Sequence, residues 1–340
     1  MMLIFDSNFM LHRTLFLPEF FNMEYAGKRT GGVFGVLQAV ANTFSTCPQI
    51  NRRIMVWDGK KSIRRMTMYP EYKGNRTAKN EQEKAEKDQH FAIFNQQKVE
   101  LRDKFLPALG MLSVTFPHKE ADDVIFQICK AYHDKEEILV VSEDGDLLQI
   151  IAHFPTVKIL QPIKKRVVRK DNFKEITGLP PEAFIYYKAM IGDSSDNITN
   201  VTGIGEKTAL KFLDQVDINN IQDSLFKLAS DANQHYIDKK KGKREAGLFN
   251  DWKTLGRNLD LVDISREPFL DSEIQSLISA IDLANPSIFP EYFRSLCVEY
   301  GFRSILDKFD FWIAPFKLVP YDKEALVEMQ KELDKLTGLQ

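Results

Sequence analysis

The chain has 340 residues, 44% apolar and 11% aromatic, with a formal net charge of −2. That is ample material for one large packed domain or two smaller ones, and it excludes a disordered chain. With no global basicity, a nucleic-acid partner has to be argued from where the charges lie.

The N-terminus, Met-Met-Leu-Ile-Phe-Asp, has no basic stretch followed by a long apolar run, and no later segment reaches membrane-spanning length without a charge. Neither secretion nor membrane insertion is expected. Short apolar runs rich in β-formers predict buried strands at Leu3–Phe5, Ile54–Trp57 and Ile138–Ser142, with a more alternating run at Val157–Ile163. Between them, helical patterns fall at Val33–Thr46, Gln97–Leu109 and Asp122–His133. This alternation predicts an α/β fold with a mostly parallel central sheet flanked by helices. Residues from about 60 to 97 break the rhythm, being charged and poor in aliphatic side chains, and read as an insertion. After about Thr177 the pattern turns helical, with Glu182–Ile191, Glu206–Leu213 and Ser272–Leu283 the clearest candidates. The domains expected are therefore 1–180, α/β, and 181–340, helical. Cys47, Cys129 and Cys297 lie far apart, matching neither a disulfide framework nor a zinc spacing, so a reducing cytoplasm is the expected home.

The first three predicted strands end at acids. Five segments carry them: Asp6-Ser7-Asn8, Trp57-Asp58-Gly59, Glu120-Ala121-Asp122-Asp123, Asp144-Gly145-Asp146 and Gly192-Asp193-Ser194-Ser195-Asp196-Asn197. Singly, each has an ordinary structural reading: Asp6 a helix cap, Asp122 and Asp123 the favoured charge at a helix start, Asp144-Gly145-Asp146 a turn. Together they need a common cause. In open α/β sheets ligands bind beyond the carboxyl ends of the strands, and carboxylates crowded there repel one another unless cations neutralise them. Hard oxygen ligands point to magnesium or manganese rather than zinc.

Two further segments suggest phosphate contacts. From Lys60 to Lys79 there are seven basic residues, Lys60, Lys61, Arg64, Arg65, Lys73, Arg76 and Lys79, against the single acid Glu71. Lys73 and Arg76 share a face if this part is helical, and the neighbouring tyrosines are able to stack on an unpaired base. A solvated surface loop is the alternative. In Val201-Thr202-Gly203-Ile204-Gly205-Glu206-Lys207, two glycines permit a tight turn and close backbone approach to a phosphate, although such turns between helices are routine.

The ordered acids, with Ser142-Glu143 preceding Asp144, resemble the flap endonuclease and 5′→3′ exonuclease family over about residues 2 to 215, nearest in look to its freestanding bacteriophage members. The resemblance implies a PIN-like nuclease fold with a helical arch at about 60–97 and a helix–hairpin–helix motif at about 186–213. It implies two metal groups: Asp6, Asp58, Glu120 and Asp122 in the first, Asp144, Asp146, Asp193 and Asp196 in the second, with Asp123 able to serve either. Two Mg2+ ions are implied, with Mn2+ a substitute and K+ at the hairpin. Asp146 would belong to the catalytic machinery, and Lys73 and Arg76 would contact the scissile phosphate. Tyr72 would stack near a displaced nucleotide, and Gly203, Gly205 and Lys207 would hold duplex backbone. The substrates implied are 5′-flap and 5′-ended DNA and RNA–DNA hybrid, cut to leave a 5′-phosphate and a 3′-hydroxyl. A monomer is implied, working with a single-strand-binding protein or sliding clamp, in the host cytoplasm if phage-encoded. The competing readings are a PIN-like ribonuclease, expected to lack the joint arch and hairpin features, and a silent scaffold, expected to have lost acids.

Weaker features complete the chain. The run Lys164–Lys170 fits either a duplex contact or a solvated hairpin edge, and Lys239–Arg244 extends the candidate DNA track. Ala325, Leu326, Met329, Leu333 and Leu336 form the stripe of a candidate C-terminal helix at Tyr321–Gln340.

Overall fold

The computed structural model describes residues 1–47, 50–78 and 80–317; Lys79 and the candidate helix at 321–340 lie outside the described residues. In chain order the strands are β1 (Met2–Asp6), β2 (Glu24–Tyr25), β3 (Lys28–Arg29), β4 (Arg52–Val56), β5 (Leu112–Val114), β6 (Ile138–Val141), β7 (Lys158–Gln161) and β8 (Arg166–Val168). Six of them form the central sheet, in the order β5-β4-β1-β6-β7-β8. All pairings in it are parallel except β7 with β8, a hairpin that closes one edge.

The apolar runs are continuous because both sheet faces are covered. Period-two alternation sends Leu3, Phe5, Met55, Trp57, Leu139 and Val141 to one face, against the helix Gly31–Thr46 and residues 93–109. Met2, Ile4, Ile54, Val56, Ile138 and Val140 point to the other, against the helix Ala121–Tyr132. From β1 the chain steps outward to β4 and β5, then returns to β6 on the other side of β1. The switch point therefore lies between β1 and β6, with their carboxyl ends side by side.

The insertion contains the helix Ile63–Met68, a turn at Gly74–Arg76 and the long helix Glu81–Glu100. Asn80 caps the long helix by accepting from the Glu83 N–H at 2.8 Å. Its first half is exposed, whereas Ile93, Phe94 and Gln97 are buried against the sheet domain. A π-turn at Leu101–Phe105 carries it into Leu106–Ala108, so the expected separate helix at Gln97–Leu109 is the end of one longer helical run. After Pro181 the described chain is helical: up to Val262 it has a core of Ala183, Met190, Ile204, Leu213, Leu225 and Leu255, whereas Phe293, Tyr300, Phe309 and Phe316 pack back on the sheet's first face and Leu277 and Ile281 on its second.

Candidate active site and metal centre

Asp6 is both the last residue of β1 and the cap of the helix Ser7–Leu15, accepting from the Phe9 N–H at 3.2 Å. Its other oxygen accepts from Ser142 Oγ, at the end of β6, at 2.9 Å. That hydroxyl also accepts from the Asp144 N–H at 3.0 Å, so one serine ties the acids of two neighbouring strands. Asp58, two residues past β4, accepts from Asn8 Nδ2 and from the Ala121 N–H, each at 2.7 Å. Gly59 makes this approach possible: a Cβ there would lie 2.0 Å from the Phe116 carbonyl oxygen. The Ala121 contact brings the acids of the 120–123 segment to the same edge.

Asp6, Asp58, Asp122, Asp144 and Asp146 consequently share one field. Burial, then Asp58 and Asp144, push the Asp6 carboxyl up to about 7. Burial, then Asp144, Asp6, Asp146 and Asp58, hold Asp122 well above the carboxylate range. Asp146 rises to about 6, chiefly through burial, with Lys188 opposing the rise and Asp144 adding to it. Buried carboxylates crowded in this way repel one another, an arrangement that clusters at functional sites and that a bound cation would relieve.

The remaining acids have cations of their own. Lys73 Nζ lies 2.8 Å from Glu120 Oε1 and 3.6 Å from Asp196 Oδ2. Arg76 reaches Asp196 Oδ1 at 2.7 Å. Lys188 Nζ bridges Asp146 Oδ1 at 2.8 Å and Asp193 Oδ2 at 3.3 Å. Glu120, expected beside Asp6 and Asp58, is thus drawn toward Asp196. Lys73 and Arg76 do not share an α-helical face: Lys73 is left-handed, with φ 55°, and Arg76 ends a tight turn. The Lys73 N–H donating to the Asp196 carbonyl at 2.8 Å, and Asn75 to the Ser194 carbonyl at 2.6 Å, dock this base of the insertion on the last acidic loop.

Two expectations need correction. Asp123 is fully buried, and both its oxygens are taken by Arg65 at 2.7 and 2.8 Å, leaving it structural rather than a metal ligand. Tyr72 is only 3% exposed; its hydroxyl donates to Glu120 at 2.8 Å and lies 3.0 Å from Asp196, so its ring is unavailable for stacking on a nucleotide. Arg65, and Arg64 beside it on Glu267, are likewise drawn from the count of phosphate-binding cations.

Sequence reasoning missed Lys188 and also Lys98, whose ammonium donates to the Asp58 carbonyl at 2.9 Å and lies over the Trp57 ring. Both sit on helices without a local motif, and their acidic partners come mostly from other segments.

At the hairpin, Gly203 has φ +77°, and a Cβ there would meet the Arg244 backbone at 3.2 Å. Gly205 is extended with open space around it, so it supplies room rather than conformation. Lys207 is exposed in the first turn of the helix Glu206–Leu213. Asp251 accepts from both the N–H and the hydroxyl of Thr202, at 2.9 and 2.7 Å, anchoring the loop to the following helices. The contact at Gly203 also brings the basic turn Lys239–Arg244 beside the hairpin. At the opposite edge Lys164 and Lys165 turn the β7–β8 hairpin, and Glu143 ties that turn down through the Ile163 N–H.

Comparison with known proteins bears on the family and the fold. Residues 1–178 match the model for the 5′-3′ exonuclease N-terminal resolvase-like domain, and residues 179–281 that for the 5′-3′ exonuclease C-terminal SAM fold. A 5′-3′ exonuclease of Buchnera aphidicola is 30% identical over 67% of this chain and 75% of its own length. One from Bacillus subtilis is 32% identical over 62% of the chain and 69% of its own. Among solved structures, a bacteriophage T5 flap endonuclease in complex with DNA and metal ions aligns with TM-score 0.59 at 22% identity, over 88% of this chain and 99% of that one. Fold and site together define a 5′ nuclease. The chain belongs to the 5′-3′ exonuclease family.

Proposed function

We propose that the chain is a metal-dependent, structure-selective 5′ nuclease acting on 5′-flap DNA, 5′ ends and RNA-primed DNA in replication and repair. The observation that carries this reading is the meeting of Asp6, Asp58, Asp122, Asp144 and Asp146 at the sheet's switch point, with Lys73 and Arg76 on the rim from the base of the insertion. By donor type the acids suit a divalent ion, while among the described residues no three of them form a group already placed to hold one. All are carboxylate oxygens, and among the described residues no cation stands within ion-pair distance of Asp6, Asp58, Asp122 or Asp144, whose burial and mutual repulsion hold Asp6 and Asp122 up. Asp6, Asp58, Asp122 and Asp144 would hold one ion; Asp146, Asp193, Asp196 and Glu120 would serve the other directly or through water. Bound Mg2+, with Mn2+ as substitute, would activate water, polarise the phosphate and stabilise the leaving 3′-oxygen.

The chain's own groups do the rest. Lys73 and Arg76 place positive charge where the phosphate gains negative charge. Tyr72 orients Glu120 and Asp196 from behind. The hairpin from Thr202 to Lys207 holds duplex through its backbone without reading sequence. K+ at the hairpin would share the Val201 and Ile204 carbonyls with Asn200 Nδ2, which donates to them at 3.2 and 2.8 Å. The division at about residue 180 follows the change to a helical pattern and the cytoplasmic state the three separated cysteines, whereas a monomeric state and a single-strand-binding or clamp partner rest on the family resemblance.

The test is a 5′-flap substrate with magnesium or EDTA, using wild type and Asp146→Asn. Magnesium-dependent incision near the junction is expected from wild type, with a large loss in the variant. Absence of metal-dependent incision by wild type would sink the reading.

A further inference from the structure

We propose that Lys188 is an internal counter-cation that occupies the Asp146–Asp193 half of the site and makes the second divalent ion bind more weakly than the first. The inference rests on the metal-dependent nuclease reading and adds an order of binding to it.

The two halves differ in how their charge is met. Among the described residues, no lysine or arginine forms an ion pair with Asp6, Asp58, Asp122 or Asp144. The other half is already compensated. Lys188 stands in the last turn of the helix Pro181–Ile191, whose end is fixed by the Gly192 N–H donating to the Lys188 carbonyl at 2.9 Å. Its side chain is 16% exposed, against 19% for Asp146 and 17% for Asp193, so the three groups are largely shielded from water. Ser195 donates to Asp193 Oδ1 through its N–H at 2.8 Å and its hydroxyl at 2.7 Å. Oδ2 is left for a cation, and Lys188 holds it.

An ammonium and a divalent ion cannot both sit on these oxygens without repulsion. An incoming ion must displace Lys188 or share its ligands with it, and by linkage whatever binds one form only weakens the competitor. An ion entering among Asp6, Asp58, Asp122 and Asp144 meets no ammonium in direct ion-pair contact with its ligands; Lys98 acts on Asp58 and Lys188 on Asp144 only from farther away. The first ion is therefore bound tightly and the second weakly. Lys188 also keeps Asp146 and Asp193 from driving each other apart before that second ion arrives, which makes it a positioning residue rather than a catalytic one.

The experiment is direct divalent binding to the DNA-free protein, with free Mn2+ counted by electron paramagnetic resonance and Mg2+ followed by titration calorimetry. Wild type, Lys188→Met, Lys188→Arg and, as an exposed control, Lys174→Met are compared. Two unequal events are expected in wild type. Lys188→Met should tighten the weaker event by roughly 5- to 150-fold, the usual span of a coupling between sites, and leave the tighter one nearly unmoved. Lys188→Arg, which keeps the charge, and Lys174→Met should behave as wild type. Should the methionine variant fail to fold by circular dichroism, Lys188→Gln, which retains a donor for the same carboxylates, takes its place. An unchanged or weakened second event on neutralising Lys188, or the same tightening in Lys188→Arg, overturns the proposal. A wild type that binds no divalent ion overturns the nuclease reading beneath it, a different failure from the first.

Discussion

The acid-lined sheet edge and the basic hairpin region differ in charge, in burial and in how far apart in sequence their parts lie. Asp6, Asp58, Asp122 and the Asp144–Asp146 pair come from four separate segments and meet because β1, β4 and β6 run parallel with their carboxyl ends aligned. Thr202, Gly203, Gly205 and Lys207 lie within six residues of one another and are exposed, and the exposed turn Lys239–Arg244 packs beside them. Buried charges held by distant elements suit chemistry, where electrostatic effects are strong and geometry must not move. Exposed backbone and flexible lysines suit a grip on phosphates that is sequence-independent and sensitive to salt. The contrast separates turnover from affinity, and substitutions in each region should break it or sharpen it.

The largest effect is expected at the edge. Asp122→Asn removes an acid on which four others act, and with it several kcal/mol of transition-state charge stabilisation, so incision should fall by roughly 10³-fold or more. Duplex affinity measured in EDTA should stay level or rise, because a negative charge has gone. Parallel losses of both quantities would merge the two regions into one.

Lys73→Ala comes next. Lys73 reaches Glu120 and Asp196 from the insertion, so its removal should lower single-turnover rate by about 10²-fold while the Kd for duplex moves little. Equal losses in rate and affinity would make Lys73 a binding residue and shift the boundary of the comparison to the insertion itself.

The same contrast explains what could be read from the sequence. The three strands carrying Asp6, Asp58 and the Asp144 segment were legible because both faces of a parallel sheet are buried, which leaves continuous apolar runs. Leu112–Val114 is too short to leave such a run, and Arg166–Val168 is a basic edge strand, one of the two alternatives open for that segment. The helix Glu81–Glu100 was obscured by its exposed, mixed-charge first half, although Asn80 three residues before Glu83 is a capping signal. The acids announced themselves by position after strands. Their partners did not: Tyr72 looks exposed within a basic run until the helical core around Leu179 and Met190 is known to bury it. Arg65 finds Asp123 and Lys188 finds Asp146 only across long stretches of chain, where no local period records the pairing.

The smallest effect is expected at the basic turn, and it tests the comparison most finely. Lys240 and Lys241 are exposed beside the hairpin; among the described residues neither is held in an ion pair, though Lys240 lies over the Tyr236 ring. If they extend the duplex track, replacing both with alanine should weaken duplex binding several-fold at moderate salt. The slope of log affinity against log salt concentration should become shallower by about 1 to 2 units, since each phosphate that a lysine no longer neutralises removes about 0.9. Single-turnover rate at saturating enzyme should be unchanged, because neither lysine touches an acid of the edge. Binding isotherms by fluorescence anisotropy across a salt series, read beside rapid-quench incision, separate the outcomes. A fall in rate at saturation would mean that the turn helps seat the scissile phosphate, joining grip to chemistry. An unmoved salt slope would confine the duplex grip to Gly203, Gly205 and Lys207, where the backbone rather than a field of lysines makes the approach.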